Sequence, residues 1–221
     1  MFWDWNFAAE ILPLLLAASR ITVVATLLGF LIAAVLGLAL AIGRMYGPRW
    51  LRVPLAGFIE FTRSTPLLIQ IFFIYFVFPE IGVTLEAMTA GVLALGLHYA
   101  AYCSEVYRAG LANVPRGQWE ASLALNLSTY HAFRDVIIPQ AVPPVVPALG
   151  NYLVALFKDT PLLSAIAVLE LMQTAKIIGS EYFRYTEPIT LVGVIFLVFS
   201  LVAAGMIKLV EAGLKRRLTR Q

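Results

Sequence analysis

Two short segments of the sequence place charged residues beside a proline within otherwise apolar stretches. Arg63-Ser-Thr-Pro-Leu-Leu68 recurs 95 positions later as Lys158-Asp-Thr-Pro-Leu-Leu163. Proline removes a backbone donor, so we predict that the helix is broken at both segments and exposes unpaired carbonyl groups. Charges inside a bilayer are costly and typically functional, and broken helices commonly form transporter binding sites. The two segments therefore predict one shared pocket.

The charged residues in and beside these segments could bind a zwitterion. Such a ligand needs a cation for its carboxylate and an anion or a carbonyl for its ammonium, and the two segments supply both signs. Glu60 and Arg63 are three residues apart and so share one helix face. The predicted substrate contacts are Glu60, Arg63, Thr65, Lys158 and Asp159.

A structural alternative explains the same charges without a ligand. Glu60 could pair with Arg63, and Lys158 could pair with Asp159 or Glu170, as buried ion pairs that only hold helices together. In the third apolar stretch, His98, Tyr99 and Tyr102 could line a pathway, and helix-packing hydrogen bonds are an equal alternative for His98 and Tyr102. We expect Glu105 and Arg108 to be a structural pair.

The composition requires a membrane setting for these segments. Of 221 residues, 61% are hydrophobic and 13% charged, and the mean hydropathy is +0.85. These values exclude an ordinary soluble domain. We predict an all-α membrane protein that forms one domain over residues 1–221, with an interfacial elbow helix from the aromatic N-terminus to Ala18. Five transmembrane helices follow, predicted at residues 21–42, 54–78, 85–107, 145–171 and 188–210.

The distribution of basic residues predicts the orientation of the chain in the membrane. Eleven of the 16 Lys and Arg residues fall on one side of the predicted spans, three on the other and two inside. The positive-inside rule then puts the N-terminus outside and the C-terminus in the cytoplasm. The three residues on the outer side are Arg20, Lys176 and Arg184.

The sequence argues against disulfide bonding, metal binding and nucleic-acid binding. A lone Cys103 and two histidines, His98 and His131, argue against a disulfide framework and a metal site. A net charge of +3 is too weak to indicate nucleic-acid binding. We expect no metal and no bound cofactor in this chain.

The longest internal polar stretch, residues 109–144, is predicted to be a cytoplasmic loop with its own structure. Trp119, Leu123 and Leu127 follow at helical spacing, and a second amphipathic piece runs to Pro139, where we expect it to stop. Two short helices joined near Asn126 fit this pattern. Asn commonly replaces Gly in a left-handed turn, which predicts a helix C-cap at Asn126.

This stretch resembles the EAA loop of bacterial ABC importer permeases, in which Glu-Ala-Ala is followed by Gly six residues after the Glu and then by Ile-x-Leu-Pro. The run Glu120-Ala-Ser, Asn126, Val136, Ile138, Pro139 has the same spacing, with Ser122, Asn126 and Val136 as departures. The resemblance implies docking to an ATPase subunit. The residues implied in this coupling are Glu120, Ala121, Ser122, Asn126 and Pro139.

Four further runs resemble the polar amino-acid uptake subfamily, which includes histidine, glutamine and arginine permeases. They are Arg63-Ser-Thr-Pro-Leu-Leu-Ile-Gln70, Ala101-Tyr-Cys-Ser-Glu-Val-Tyr-Arg108, Val114-Pro-Arg-Gly-Gln-Trp-Glu120 and Pro139-Gln-Ala. Ser64 stands where the subfamily usually has Gly, and Pro161 where it often has Ser.

The resemblance implies a permease subunit of the cytoplasmic membrane and a set of partners. The partners are a second permease, identical or a sister chain, two cytoplasmic ATPase subunits that carry ATP and Mg²⁺, and an extracytoplasmic solute-binding protein. The cargo would be a polar amino acid or a similar zwitterion, with ectoine or hydroxyectoine as one candidate.

Two other classes of protein compete with this interpretation. The first is an ion-coupled secondary amino-acid carrier, which also uses broken helices but needs no ATPase-docking loop. The second is an intramembrane enzyme, which the single Cys103 and the scarce histidines disfavour. The sequence contains no Gly-x-x-x-x-Gly-Lys-Ser/Thr loop, so we expect a transport subunit that hydrolyses no ATP by that route.

Overall fold

The computed structural model describes residues 3–218, with side chains described for residues 3–214, and this part of the chain is helical without strands. The helices are α1 (Trp5–Tyr46), α2 (Arg49–Ser64), α3 (Leu67–Phe72), α4 (Ala87–Ala112), α5 (Arg116–Ala124), α6 (Thr129–His131), α7 (Ile138–Asp159), α8 (Leu171–Glu181) and α9 (Thr186–Leu218). Wider π-helical turns extend α3 over Phe73–Val77 and join α6 to α7 over Ala132–Ile137. Tighter 3₁₀ turns follow at Phe78–Ile81 and Thr160–Ile166.

Three helical stretches of the described chain are long and apolar enough to cross a membrane: Trp5–Tyr46, Thr129–Ile166 and Thr186–Leu214. A fourth crossing results if the bent pair Arg49–Ser64 and Leu67–Ile81 forms one span. The 26 residues of α4 measure about 39 Å at ~1.5 Å per residue, which exceeds a hydrocarbon core of ~30 Å. The helices are thus compatible with five crossings.

The N-terminal region differs from the prediction, because α1 is one helix of 42 residues without a break near Ala18. The prediction of a separate elbow helix is therefore wrong. Phe7, Ile11 and Leu15 repeat every four residues and are buried against α8 and α9. This packing stabilises the N-terminal third of α1 as a continuation of the helix that forms the predicted first span.

The fourth crossing also begins earlier than predicted. Helical turns run from Thr129 through Pro139 to Ile166, whereas the predicted span covered residues 145–171 and the predicted loop helix stopped at Pro139. Pro139 lies in the first turn of α7, directly after the π-helical turn. A proline is tolerated there because the first turn of a helix needs no backbone donor at that position.

Close contact between α1 and α4 forms the centre of the bundle. A Cβ atom on Gly37 would lie 2.7 Å from Cβ of Cys103, and one on Gly29 would lie 3.3 Å from Cβ of Leu95. Both glycines are buried, so the two backbones approach closely over the roughly two turns that separate them. α7 packs against both α1 and α4, with Leu156 beside Gly29, and also contacts α9.

The two ends of the bundle are defined by contacts between helix termini. The N–H of Asp4 donates to Oε1 of Glu187 at 3.1 Å, which puts the starts of α1 and α9 at one end. The ring of Tyr46, at the end of α1, lies 6.1 Å from the ring of Phe133 at the opposite end. The first and last described residues therefore lie at opposite ends. Of the basic tail, Arg220 and the side chains of residues 215–217 lie outside the described part.

Candidate functional site

The first Thr-Pro segment is broken, as the sequence predicts. α2 ends at Ser64, Thr65 has extended backbone angles (φ −105°, ψ 140°), and α3 starts after Pro66. The two helical arms meet at 109°. The break therefore changes the direction of the chain directly after Arg63.

The side chain of Gln70 satisfies the carbonyl groups that the break leaves unpaired. Its Nε2 donates to the carbonyl oxygens of Thr62 (2.8 Å) and Thr65 (3.2 Å) and contacts Oγ1 of Thr65 at 2.7 Å. Its Oε1 lies 3.2 Å from Nδ1 of His98, so this ring nitrogen carries the proton. The bend is thereby attached to the middle of α4.

The second Thr-Pro segment is not broken, so that prediction is wrong. α7 runs to Asp159 and continues as the 3₁₀ turn, in which Pro161 occupies the first turn. The chain reverses only at Ala167, which has a left-handed φ of 59°. Oγ1 of Thr160 donates to the carbonyl of Phe157 at 2.7 Å, which stabilises the continuous helix end.

Arg63 and Asp159 each contact one member of a cluster of three tyrosines. Asp159 accepts a hydrogen bond from the hydroxyl of Tyr99 at 2.6 Å, and the Arg63 guanidinium lies 5.4 Å from the ring centre of Tyr102. The rings of Tyr99, Tyr102 and Tyr152 form a triangle with centroid distances of 6.1, 5.5 and 6.2 Å. We call Arg63, Asp159 and these three tyrosines the tyrosine cluster.

Glu60 and Lys158 lie outside the tyrosine cluster. Both side chains are exposed, and neither has an ion-pair partner among the described residues. Lys158 precedes Asp159 by one position, or about 100° around the helix, and lines a crevice with Ser200 of α9. Thr65 stays beside Arg63 at the bend.

The ion pairs of the structural alternative do not form within the described residues. Arg63 and Glu60 make no salt bridge, and neither do Lys158 and Asp159. Glu170 instead caps α8, where its carboxylate accepts from the N–H groups of Gln173 (2.7 Å) and Met172 (2.9 Å). The expected pair of Glu105 and Arg108 is present at 2.8 Å, and Arg44 also contacts Glu105.

Sequence reasoning missed two residues of this region, Gln70 and Tyr152. Tyr152 precedes Asp159 by seven positions, which puts both on one face of α7, and this spacing could have found it. No comparable signal marks Gln70, because its partners lie on the other side of a helix break and on α4.

Asn126 has the predicted left-handed conformation, with φ 54°. α5 ends just before it, and the N–H of Leu127 donates back to the carbonyl of Ser122 at 3.0 Å, as in a Schellman-type helix end. Asn reaches this conformation more readily than most residues with a side chain, so it can stand in the Gly position of the EAA pattern.

The loop segment at residues 109–144 has a small core of its own. Val114, Ile137 and Ala141 are buried there, with Trp119 and Phe133 packed against them. Ser122 is also buried and donates to the carbonyl of Gln118 at 2.8 Å, so the hydroxyl that replaces the usual Ala methyl has a partner. α5 is thereby held as an ordered helix at the end of the bundle.

The opposite face of α5 is exposed and carries apolar residues. Leu123 is 77% exposed and Leu125 73%, and Glu120, Ala121 and Pro139 are exposed as well. The helical spacing of Trp119 and Leu123 predicts that both lie on one apolar face, but only Trp119 packs in the core of the loop segment. Exposed apolar residues at the tip of an ordered helix are typical of a protein-docking surface.

The described residues contain no group of three or more His, Cys, Asp or Glu side chains that could hold a metal ion. The site can therefore be described from its side chains: a guanidinium, a carboxylate and three phenol rings beside a helix break. Chemically, a guanidinium can bind a carboxylate, and a carboxylate or the face of a phenol ring can bind an ammonium group.

The fold, the helix break and the loop segment define the class of protein. Residues 33–216 match the family of binding-protein-dependent transport system inner membrane components. The chain belongs to this family.

Individual relatives are similar over almost the whole chain. A probable amino-acid ABC transporter permease of Sinorhizobium fredii, y4tG, is 46% identical over 97% of this chain and 95% of its own length. The L-cystine permease TcyB of Bacillus subtilis is 35% identical (94% and 88%), and the glutamine permease GlnP of Escherichia coli is 33% identical (97% and 99%).

Solved structures show the same fold. A crystal structure of an amino acid ABC transporter with histidines superposes with a TM-score of 0.91 at 34% identity, covering 96% of this chain and 99% of that one. An inward-facing structure of the methionine transporter MetNI gives 0.70 at 21% identity, covering 89% and 92%. The second match supports the fold alone.

Proposed function

We propose that this chain is the permease subunit of an ATP-driven importer for a polar amino acid or a similar zwitterion. One observation carries the proposal: a guanidinium, Arg63, and a carboxylate, Asp159, both contact the cluster of Tyr99, Tyr102 and Tyr152 beside a helix break. The relatives named above are described as carriers of amino acids, which have both charges. Ectoine has no support among them and is not part of the proposal.

The tyrosine cluster suits the two ends of a zwitterion. The Arg63 guanidinium provides paired donors for a carboxylate, and Asp159 provides an acceptor for an ammonium group. The tyrosine rings can attract the ammonium through their faces. Thr65 adds a hydroxyl at the bend, and Glu60 and Lys158 flank the site as candidate contacts at a greater distance from the cluster.

Transport would be driven through the loop segment. Its exposed Glu120 and Leu123 suit a cleft on a cytoplasmic ATPase, with Ala121, Ser122, Asn126 and Pro139 shaping the docking helix. The proposed assembly contains two ATPase subunits, which bind ATP and Mg²⁺, and a second permease. An extracytoplasmic binding protein delivers the substrate.

The proposed location is the cytoplasmic membrane, with the N-terminus outside. Arg44, Arg108 and Arg134 lie at the end of the bundle that carries the loop segment, and Arg184 lies beside Asp4 at the other end. This distribution supports a cytoplasmic loop segment under the positive-inside rule. The ion-coupled carrier has no support from a family defined by dependence on a binding protein.

The proposal is tested in the complex reconstituted with its ATPase and binding protein. Arg63→Ala and Asp159→Asn should each lower amino-acid uptake and substrate-stimulated ATP hydrolysis by about tenfold or more, since each removes a charge-assisted contact of ~1.5–3 kcal/mol. Arg52→Ala, an exposed arginine on the same helix, serves as the matched control. Unchanged uptake in both site variants would refute the site.

A further inference from the structure

Arg20 and Glu86 are two exposed charges that the proposed transport site does not use. Arg20 lies on α1, and Glu86 directly precedes α4. Their signs are opposite, but neither forms an ion pair among the described residues. Within the described part of the chain, the Glu86 side chain also makes no capping hydrogen bond to α4. Both groups are therefore available to a ligand.

The two charges lie at one level of the bundle, because α1 and α4 run parallel. In both close contacts of the α1 glycines described above, the residue of α4 follows its partner on α1 by 66 positions. The same offset puts Glu86 level with Arg20. Both residues line one cavity of about 500 Å³.

This level marks one edge of an uncharged stretch of α1. Residues 21–43 contain no charged side chain, and at ~1.5 Å per residue these 23 residues measure about 35 Å, slightly more than a hydrocarbon core of ~30 Å. Arg44 follows the stretch and pairs with Glu105 at the end of the bundle that carries the loop segment. Arg20 precedes the stretch at the opposite end, so it lies where lipid headgroups meet the hydrocarbon core.

The rest of the cavity is apolar. Its other walls come from α1, the start of α4 and the turn between α7 and α8, and are formed by Ile21, Val24, Ala87, Met88, Val168 and Leu169. The volume is within the range of ~300–1,000 Å³ that is typical of small-molecule sites. A ligand that fits this cavity must combine two charges with an apolar part.

An exposed apolar stripe continues from the cavity along α1. It begins one helical turn after Arg20, its residues repeat every three or four positions, and they are 43–64% exposed: Val24, Leu28, Leu31, Val35, Leu38 and Ile42. The stripe extends over the uncharged stretch and has the composition of a surface that contacts acyl chains. Because Arg20 shares its helix face, a molecule with its charged head in the cavity would have its tail along the stripe.

We propose that this cavity binds a phospholipid whose headgroup joins a phosphate to a primary ammonium, as in phosphatidylethanolamine. The Arg20 guanidinium donates to the phosphate, the Glu86 carboxylate accepts from the ammonium, and the acyl chains follow the stripe. A choline headgroup has no N–H to donate to Glu86, and a glycerol headgroup has no positive charge. A free amino acid has both charges but leaves the apolar walls uncovered.

The proposal is tested by native mass spectrometry of the permease purified with its ATPase subunits. The added lipids are phosphatidylethanolamine, phosphatidylcholine and phosphatidylglycerol with identical acyl chains. The wild type should bind phosphatidylethanolamine about five- to tenfold more tightly than the other two, because only its headgroup pairs with both charges. Glu86→Gln should abolish this preference and leave phosphatidylcholine binding unchanged. Arg20→Gln should weaken phosphatidylethanolamine binding about tenfold or more, because the phosphate loses a charge-assisted contact.

Matched controls separate these effects from misfolding and from general charge effects. Glu10→Gln and Lys176→Gln remove exposed charges at the same end of the bundle but outside the cavity, and should leave the lipid preference unchanged. Arg20→Lys keeps the positive charge and should retain most of the binding. Free glutamine, which has the same two charges but no acyl chain, should not displace the lipid.

Several outcomes would overturn the inference. These are equal binding of the three lipids by the wild type, a preference that persists in Glu86→Gln, and displacement by glutamine, which would indicate an amino-acid site. A direct pair of Arg20 with Glu86 would lower the unfolding temperature of both Gln variants without changing lipid selectivity, and would also refute the lipid site. The lipid is measured without ATP or substrate, so the result does not depend on the proposed import function.

Discussion

At the scale of residues, neighbouring charges have separate roles. Asp159 reaches Tyr99 while Lys158 points toward α9, although one peptide bond links them. The helical rotation of about 100° per residue is the cause, because α7 stays helical through both positions. The sequence motif predicted both residues as substrate contacts. The packing of α4 and α9 on α7 shows that their side chains point toward different helices.

The hydroxyl of Tyr99 should matter more than its ring. Tyr99→Phe keeps the aromatic triangle but removes the donor to Asp159, so the carboxylate loses a fixed position. We expect the amino-acid concentration for half-maximal ATPase stimulation to rise about three- to tenfold, as for the loss of ~1 kcal/mol. Tyr107→Phe is the matched control, because that hydroxyl donates to the carbonyl of Ala34 outside the site. Equal effects of the two variants would contradict the role of Tyr99.

At the scale of elements, irregular backbone positions define the shape of the site and of the loop segment. The Thr65–Pro66 break bends the chain by 109° between α2 and the helical turns of Leu67–Ile81, and a left-handed turn at Asn126 follows the end of α5. Both follow from local covalent geometry, and both were predicted from residue type. The continuity of α7 through Pro139 was not predicted, because it depends on the π-helical turn before the proline.

The left-handed turn at Asn126 predicts a clear ranking of variants. Asn126→Gly should dock on the ATPase as the wild type does, because Gly adopts φ 54° without strain. Asn126→Val should destabilise the turn by about 1–2 kcal/mol and lower copurification of the ATPase, since a β-branched residue strongly disfavours this conformation. Copurification of the two variants side by side is the measurement. A Val variant that binds as well as Gly would contradict the proposed geometry.

Close packing of α1 on α4 predicts opposite effects for two glycine substitutions. At Gly37 a Cβ would lie 2.7 Å from Cys103 and 2.9 Å from the Ala100 carbonyl, so Gly37→Ala should destabilise the protein by about 1–3 kcal/mol. At Gly57 a Cβ meets nothing within 4 Å, so Gly57→Ala should be neutral or stabilising by up to ~1 kcal/mol. Thermal unfolding of both variants in detergent checks the difference in sign.

At the scale of the whole molecule, contacts distant in sequence connect the two ends of the chain. Arg184 contacts Asp4 at 3.3 Å, lies 4.8 Å from the ring centre of Phe7 and also pairs with Glu187. These contacts tie the start of α1 to the start of α9. The bundle is thus closed at the end opposite the loop segment.

This closure should weaken in acid. The backbone N–H of Phe7, and to a smaller extent the Arg184 side chain, hold the pKa of Asp4 below its ordinary value of 3.8, despite partial desolvation. Because the folded pKa is lowered, the stabilisation is complete above pH 3.8 and is lost as pH falls through the folded pKa. Asp4→Asn should therefore unfold at a lower temperature than the wild type at pH 7, and this difference should shrink below pH 4. A difference that stays constant with pH would contradict the ionic contribution.

Local features of this protein were determined by the sequence itself. The apolar composition requires membrane helices, Pro66 breaks one of them because it lacks a backbone donor, and Asn126 accepts a left-handed turn. Each of these effects acts over a few bonds. They could be predicted without knowledge of the rest of the chain.

Only the tertiary structure decided which charges share a site. Arg63 and Asp159 share one tyrosine cluster because Arg63 of α2 and Asp159 of α7 both contact tyrosines of α4. Gln70 connects the bend to α4 through its contact with His98. Glu60 and Lys158 carry charges of the same two signs but lie outside the tyrosine cluster. A side chain's direction depends on the rotation of its helix against distant neighbours, and that rotation is set by packing across the whole bundle.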